Sequence, residues 1–125
     1  MIEIVLEILV LAVAFEHVFI MLLEMFFIKS SMAKKNFGLD SKLLERKEVA
    51  IMFANQGLYN GFLAAGLFWS FFATENMVTP LRIFFLGCVI IAAIYGSITS
   101  NKKIIIKQGA LAILAMGVII ASILI

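Results

Sequence analysis

The chain has 125 residues, 64% of them hydrophobic and only 14% charged, with a mean hydropathy of +1.14. A water-soluble domain of this size could not bury so much apolar surface, so the composition excludes one and selects a membrane-embedded chain. The net charge is only +2, and the single cysteine, Cys88, excludes an intrachain disulfide and a zinc site built on paired thiols.

The chain opens MIEIVLEI, with Glu3 and Glu7 but no Lys or Arg. That is the opposite of a signal peptide's basic start, so the first apolar run is expected to be retained. Four apolar runs follow one another, at about 4–28, 48–73, 81–98 and 104–125. Each is long enough to cross a bilayer, which takes ~20 helical residues. None alternates with period two, so a transmembrane barrel is not expected. The first connection, KSSMAKKNFGLDSKLLERK, contains a turn at Phe37-Gly38. Asp40 or Ser41 is then expected to cap a helix running unbroken through Lys42–Lys47 into the second span. Pro80 suits the first turn of the third helix. The second and third connections are short, which implies neighbouring antiparallel helices. The expected fold is all-α, a single four-span domain forming a membrane-embedded antiparallel four-helix bundle.

Charge sets the expected orientation. Lys29, Lys34, Lys35, Lys42, Arg46 and Lys47 fall in the first connection, and Lys102, Lys103 and Lys107 in or just after the third. With four spans these connections share one side, leaving Arg82 as the one basic residue on the other. Basic loops mark the cytoplasmic face, so both termini are expected outside the plasma membrane.

The second run organises the rest. EVAIMFANQGLYNGFLAAGLFWSFFA holds Gly57, Gly61 and Ala65 every four residues, a small-residue ridge that lets another helix approach. It also holds Asn55, Gln56, Tyr59 and Asn60, whose polar groups need partners in hydrocarbon. The first run adds Glu16 and His17 near its middle and Glu24 two turns further on. At ~100° per residue, His17 and Glu24 share a face, with Glu16 about a quarter-turn away. An ionised carboxylate at that depth is too costly unless it is protonated or paired. Tyr95 completes the candidate pocket from the third run.

These eight side chains, Glu16, His17, Glu24, Asn55, Gln56, Tyr59, Asn60 and Tyr95, lie between mid-bilayer and the cytoplasmic surface. The outer half, with FWSFF and IIASILI, reads as nearly featureless hydrocarbon, and Glu3 and Glu7 as solvated end residues. Lys107 is expected to snorkel, and Cys88 to act as a small apolar filler.

The segments FEHVFIMLLEMF (15–26) and NQGLYNGFLAAGL (55–67), in a four-span layout, resemble the small bacterial membrane family DUF1304. The resemblance covers nearly the whole chain. It implies a bacterial multi-pass protein and points to the same polar residues, without assigning them an activity.

Three classes of function fit. The first is a carrier or transporter whose inward-facing pocket binds a small polar or amphipathic solute, with protonation of Glu16 or His17 available for coupling. Four spans are few for a pore, so it predicts a homodimer through the Gly57–Gly61–Ala65 ridge or through Gly117 and Ala121. The second is a membrane-embedded enzyme acting on a lipid or isoprenoid by Glu/His acid-base chemistry. The third is a structural subunit, in which the polar groups form a clasp that sets helix register. No cofactor or metal is expected, and no nucleotide loop, serine nucleophile or nucleic-acid patch is visible. Membrane lipid is the expected surrounding partner.

Overall fold

In a computed structural model describing all of residues 1–125, long helices alternate with short connections and no strand forms. Helix α1 is Ile2–Phe26, α2 Ser31–Phe37, α3 Ser41–Leu44, α4 Lys47–Trp69 and α5 Glu75–Thr99. One π-turn, Ile105–Gly109, then leads into α6, Ala110–Leu124.

The connection after α1 is a folded elbow rather than a loop. Ser30 caps α2, its Oγ accepting from the Ala33 amide at 3.1 Å and donating to the Phe27 carbonyl at 2.6 Å. Gly38 ends α2 in the left-handed region at φ 65°, which a side chain would disfavour, and its amide returns to the Lys34 carbonyl. Asp40 caps α3, accepting from the Lys42 amide at 3.1 Å. The expected continuous helix from there into α4 does not form. It breaks at Glu45–Arg46 after a single turn, which lets Leu44 point inward and bury completely.

Helix α5 begins at Glu75, five residues before Pro80, after the extended residue Thr74. Pro80 therefore lies in the second turn rather than the first, where the backbone is already helical. It cannot donate to the carbonyl one turn back, a cost the long helix beyond it absorbs.

Two compact units divide the chain, one of residues 1–16 with 63–125, the other of 17–62. In the first, α1, α4, α5 and α6 each contribute to one core: Val10, Val13 and Ala14, then Leu67, then Leu86 and Val89, then Ala112, Ala115 and Ile119. Small residues set the closest approaches. A Cβ on Gly66 would collide with the Phe85 ring, and one on Gly109 would lie 3.0 Å from Ala93. The π-turn is held by Ser97, whose hydroxyl accepts from the Ile105 amide at 2.7 Å. In the second unit, Leu23, Ile28, Ala33 and Leu44 form a smaller core, backed by Phe37, Leu39, Val49 and Phe53.

Three helical stretches are long and apolar enough to cross a membrane: Ile2–Phe26, Glu75–Thr99 and Ile105–Leu124. No more than 28% of any of them is buried within the protein. Phe15, Phe26, Phe84, Ile91 and Ile98 are all exposed, consistent with contact to lipid. Helix α4 is long enough, at 23 residues, but its mid-helix amides keep it out of this set.

Candidate functional site

Within the unit of residues 17–62, α1 and α4 meet across glycine. A Cβ on Gly57 would lie 2.8 Å from Met25 Cγ, 3.0 Å from Glu24 Cβ and 3.1 Å from the Met21 carbonyl. One on Gly61 would lie 2.6 Å from Met21 Sδ. The first two members of the sequence-read ridge thus pack against α1, while Ala65 is exposed. This approach brings Glu24 and Asn60 together, the Asn60 amide donating to Glu24 Oε1 at 2.6 Å. The second N–H of that amide goes to the Gln56 carbonyl at 3.3 Å.

Glu24 is completely buried, and its Oε2 has no hydrogen-bond partner. His17, two turns earlier, is also buried, at 3% exposure. Asn55, Gln56 and Tyr59 are exposed, the Tyr59 ring stacking edge-on with Phe62 at 5.9 Å. Gln56, one turn before Asn60, still reaches the Glu24 carboxylate with its side chain. Of the second-run polar residues, Asn60 and Gln56 thus bond to a first-run carboxylate.

Two predicted residues belong to the other unit. Glu16 is half-buried, with Oε2 inaccessible and unpartnered. Tyr95 is exposed, and its backbone carbonyl accepts from Thr99 Oγ1 at 2.8 Å.

The same unit contains a polar centre that the sequence reading passed over. Arg82, 4% exposed, donates from Nη1 and Nη2 to both oxygens of Glu7 at 2.8 and 3.0 Å. Its Nε donates to Ser70 Oγ at 3.1 Å, and Ser70 in turn donates to the Leu67 carbonyl at 2.6 Å. The guanidinium lies over the Phe71 ring, 4.8 Å from its centre. Beside it opens a cleft of about 570 Å³, lined by apolar Leu6, Val78 and Val118 and by polar Glu3, Glu75 and Thr79. Glu7 is therefore an ion-pair partner rather than a solvated end residue, and the FWSFF segment is not featureless. The available signal was Arg82 itself, a lone cation beside an apolar run, which needs a partner there.

No cluster of three or more His, Cys, Asp and Glu side chains is arranged to hold a metal ion. Helices alone, three of them apolar enough to cross a bilayer, define a class consistent with a membrane protein that buries four polar side chains, His17, Glu24, Ser70 and Arg82.

The chain belongs to the family described as a protein of unknown function, DUF1304, whose profile matches residues 11–120. It is similar to the uncharacterized protein YpaA of Lactococcus lactis subsp. lactis (strain IL1403), 43% identical over 109 residues. That match covers 87% of this chain and 91% of YpaA. No solved structure matches. The matched span includes all eight sequence-predicted site residues and Arg82, but not Glu7.

Proposed function

We propose that this chain is a carrier in the plasma membrane, binding a small amphipathic cation with Glu24 as its counter-charge. The observation that carries the reading is Glu24 Oε2, fully buried and without a partner beside an Oε1 that has one. A clasp serving only helix register would satisfy both oxygens, because a buried acceptor left open costs about 1–3 kcal/mol. Such an open oxygen is suited to alternate between a proton and a cationic ligand.

The chain crosses four times as a helical bundle, α4 forming the second span with a length of roughly 35 Å. The basic connections face the cytoplasm and both termini face outward. His17, Gln56 and Asn60, in the same unit, share the polar half of the membrane with Glu24. Asn55 and Tyr59, exposed on α4, are covered by a second copy in a homodimer. With Gly57 and Gly61 already taken up by α1, this polar edge replaces the glycine ridge as the dimer contact.

Ethidium uptake into proteoliposomes with an acidic lumen tests the reading. Wild-type protein is expected to accumulate the dye faster than empty liposomes, and Glu24→Gln to fall to the empty rate. Glu3→Gln, at the start of α1, is expected to match wild type. Wild-type uptake no faster than empty liposomes, or full uptake by Glu24→Gln, would overturn the assignment.

A further inference from the structure

We infer that the elbow between α1 and α4 is a built seat for anionic phospholipid headgroups. The inference rests on the membrane reading but not on transport. Between residues 29 and 48 stand six cations, Lys29, Lys34, Lys35, Lys42, Arg46 and Lys47, against three carboxylates, Asp40, Glu45 and Glu48. The ion pair formed in the chain joins Arg82 to Glu7, so none of the six is neutralised by a neighbouring carboxylate. Asp40 is occupied in capping α3.

The elbow holds these charges in place. Ala33 and Leu44 are buried in the smaller core, with Phe37 and Leu39 packed on it, and caps at Ser30, Gly38 and Asp40 fix both short helices. Inward apolar residues leave the lysines on the outer surface, where Lys29, Lys35, Lys42, Arg46 and Lys47 are exposed. Among them lie exposed apolar side chains, Met32 and Leu43 on the elbow and Phe26 and Phe27 at its root.

Cations interleaved with apolar groups suit the boundary between headgroups and acyl chains better than an acidic protein surface, which offers nothing for the apolar members. Lys29 also lies three residues beyond the end of α1, one of the helices apolar enough to cross a membrane. That places the cations within reach of the phosphate layer. Each basic side chain near an anionic surface adds about 1 kcal/mol of attraction, so a rigid group of them is selective for charged lipid.

Full-length protein in uncharged detergent, titrated with phosphatidylglycerol, phosphatidylcholine or inorganic phosphate, tests the seat by its thermal midpoint. Phosphatidylglycerol is expected to raise the midpoint, and the other two to leave it unchanged. The double substitution Lys34→Gln and Lys35→Gln is expected to require about thirtyfold more phosphatidylglycerol for the same shift. Lys34→Arg with Lys35→Arg, which keeps the charge, should respond like wild type and guards against a folding defect. Equal shifts with phosphatidylcholine, a shift with inorganic phosphate, or an undiminished response of the Gln pair would each overturn the seat while leaving the Glu24 assignment intact. Release of the protein from membranes by alkaline carbonate would overturn both.

Discussion

Asn60 and Arg82 each tie down a carboxylate from a distant part of the chain. Asn60→Ala removes the amide from a carboxylate with no exposure to solvent, which should cost about 1–3 kcal/mol. A lowered denaturation midpoint in detergent is the expected result, and an unchanged midpoint would mean that water or another donor takes over. Arg82→Ala leaves Glu7 and Ser70 without their shared donor. Its expected cost is about 3 kcal/mol, the low end for a buried pair because Glu7 is half-exposed. Arg82→Lys should recover only part of this, since an ammonium cannot bond both Glu7 oxygens and Ser70 in the planar fork seen here. Equal midpoints for Arg82→Lys and wild type would show that charge alone matters. The two residues differed in legibility. Asn60 was legible as one of four polar residues on the second run, but depth and periodicity did not single it out as the partner of Glu24. Arg82 and Glu7 are separated by 75 positions, and no periodicity within one run connects them.

The helices themselves were legible because long apolar runs have few alternatives to helix in lipid. Their ends were less so. Where α4 begins depends on Leu44 turning inward, a tertiary event, and α5 starts ahead of Pro80 because an extended Thr74 can begin a helix without a side-chain cap. Glycine contacts make the packing testable element by element. Gly57→Ala and Gly66→Ala both meet obstacles that cannot swing aside, backbone at Met21 in one case and the Phe85 ring in the other. Each should cost about 1–3 kcal/mol by overpacking. Gly61→Ala meets the flexible end of Met21 and should be milder. Gly87→Ala meets nothing within 4 Å, and better helix propensity should make it neutral or stabilising by up to about 1 kcal/mol. Thermal melts of the four variants check the order. Gly87→Ala melting below Gly66→Ala would contradict the helix contacts described.

At the scale of the whole molecule, composition alone pointed to helices and to lipid, and three helices meet the length and hydropathy that crossing requires. The fourth, α4, is where composition and function pull against each other. Asn55, Gln56, Tyr59 and Asn60 lower its hydropathy, and the same residues form the polar edge on which the proposed site and the second copy depend. Membership of DUF1304 places the chain in a family without assigning these residues a role. Whether α4 crosses decides the geometry of everything else. Four crossings put the two termini on one side of the membrane, and three put them on opposite sides. Paired reporter fusions, one at each terminus of the full chain in living cells, measure this directly. With α4 spanning, both reporters should show activity outside the cytoplasm, and reporters placed near Lys35 and Lys102 should be cytoplasmic. A cytoplasmic C-terminus with an external N-terminus would contradict the four-span carrier and leave α4 as a helix that does not cross.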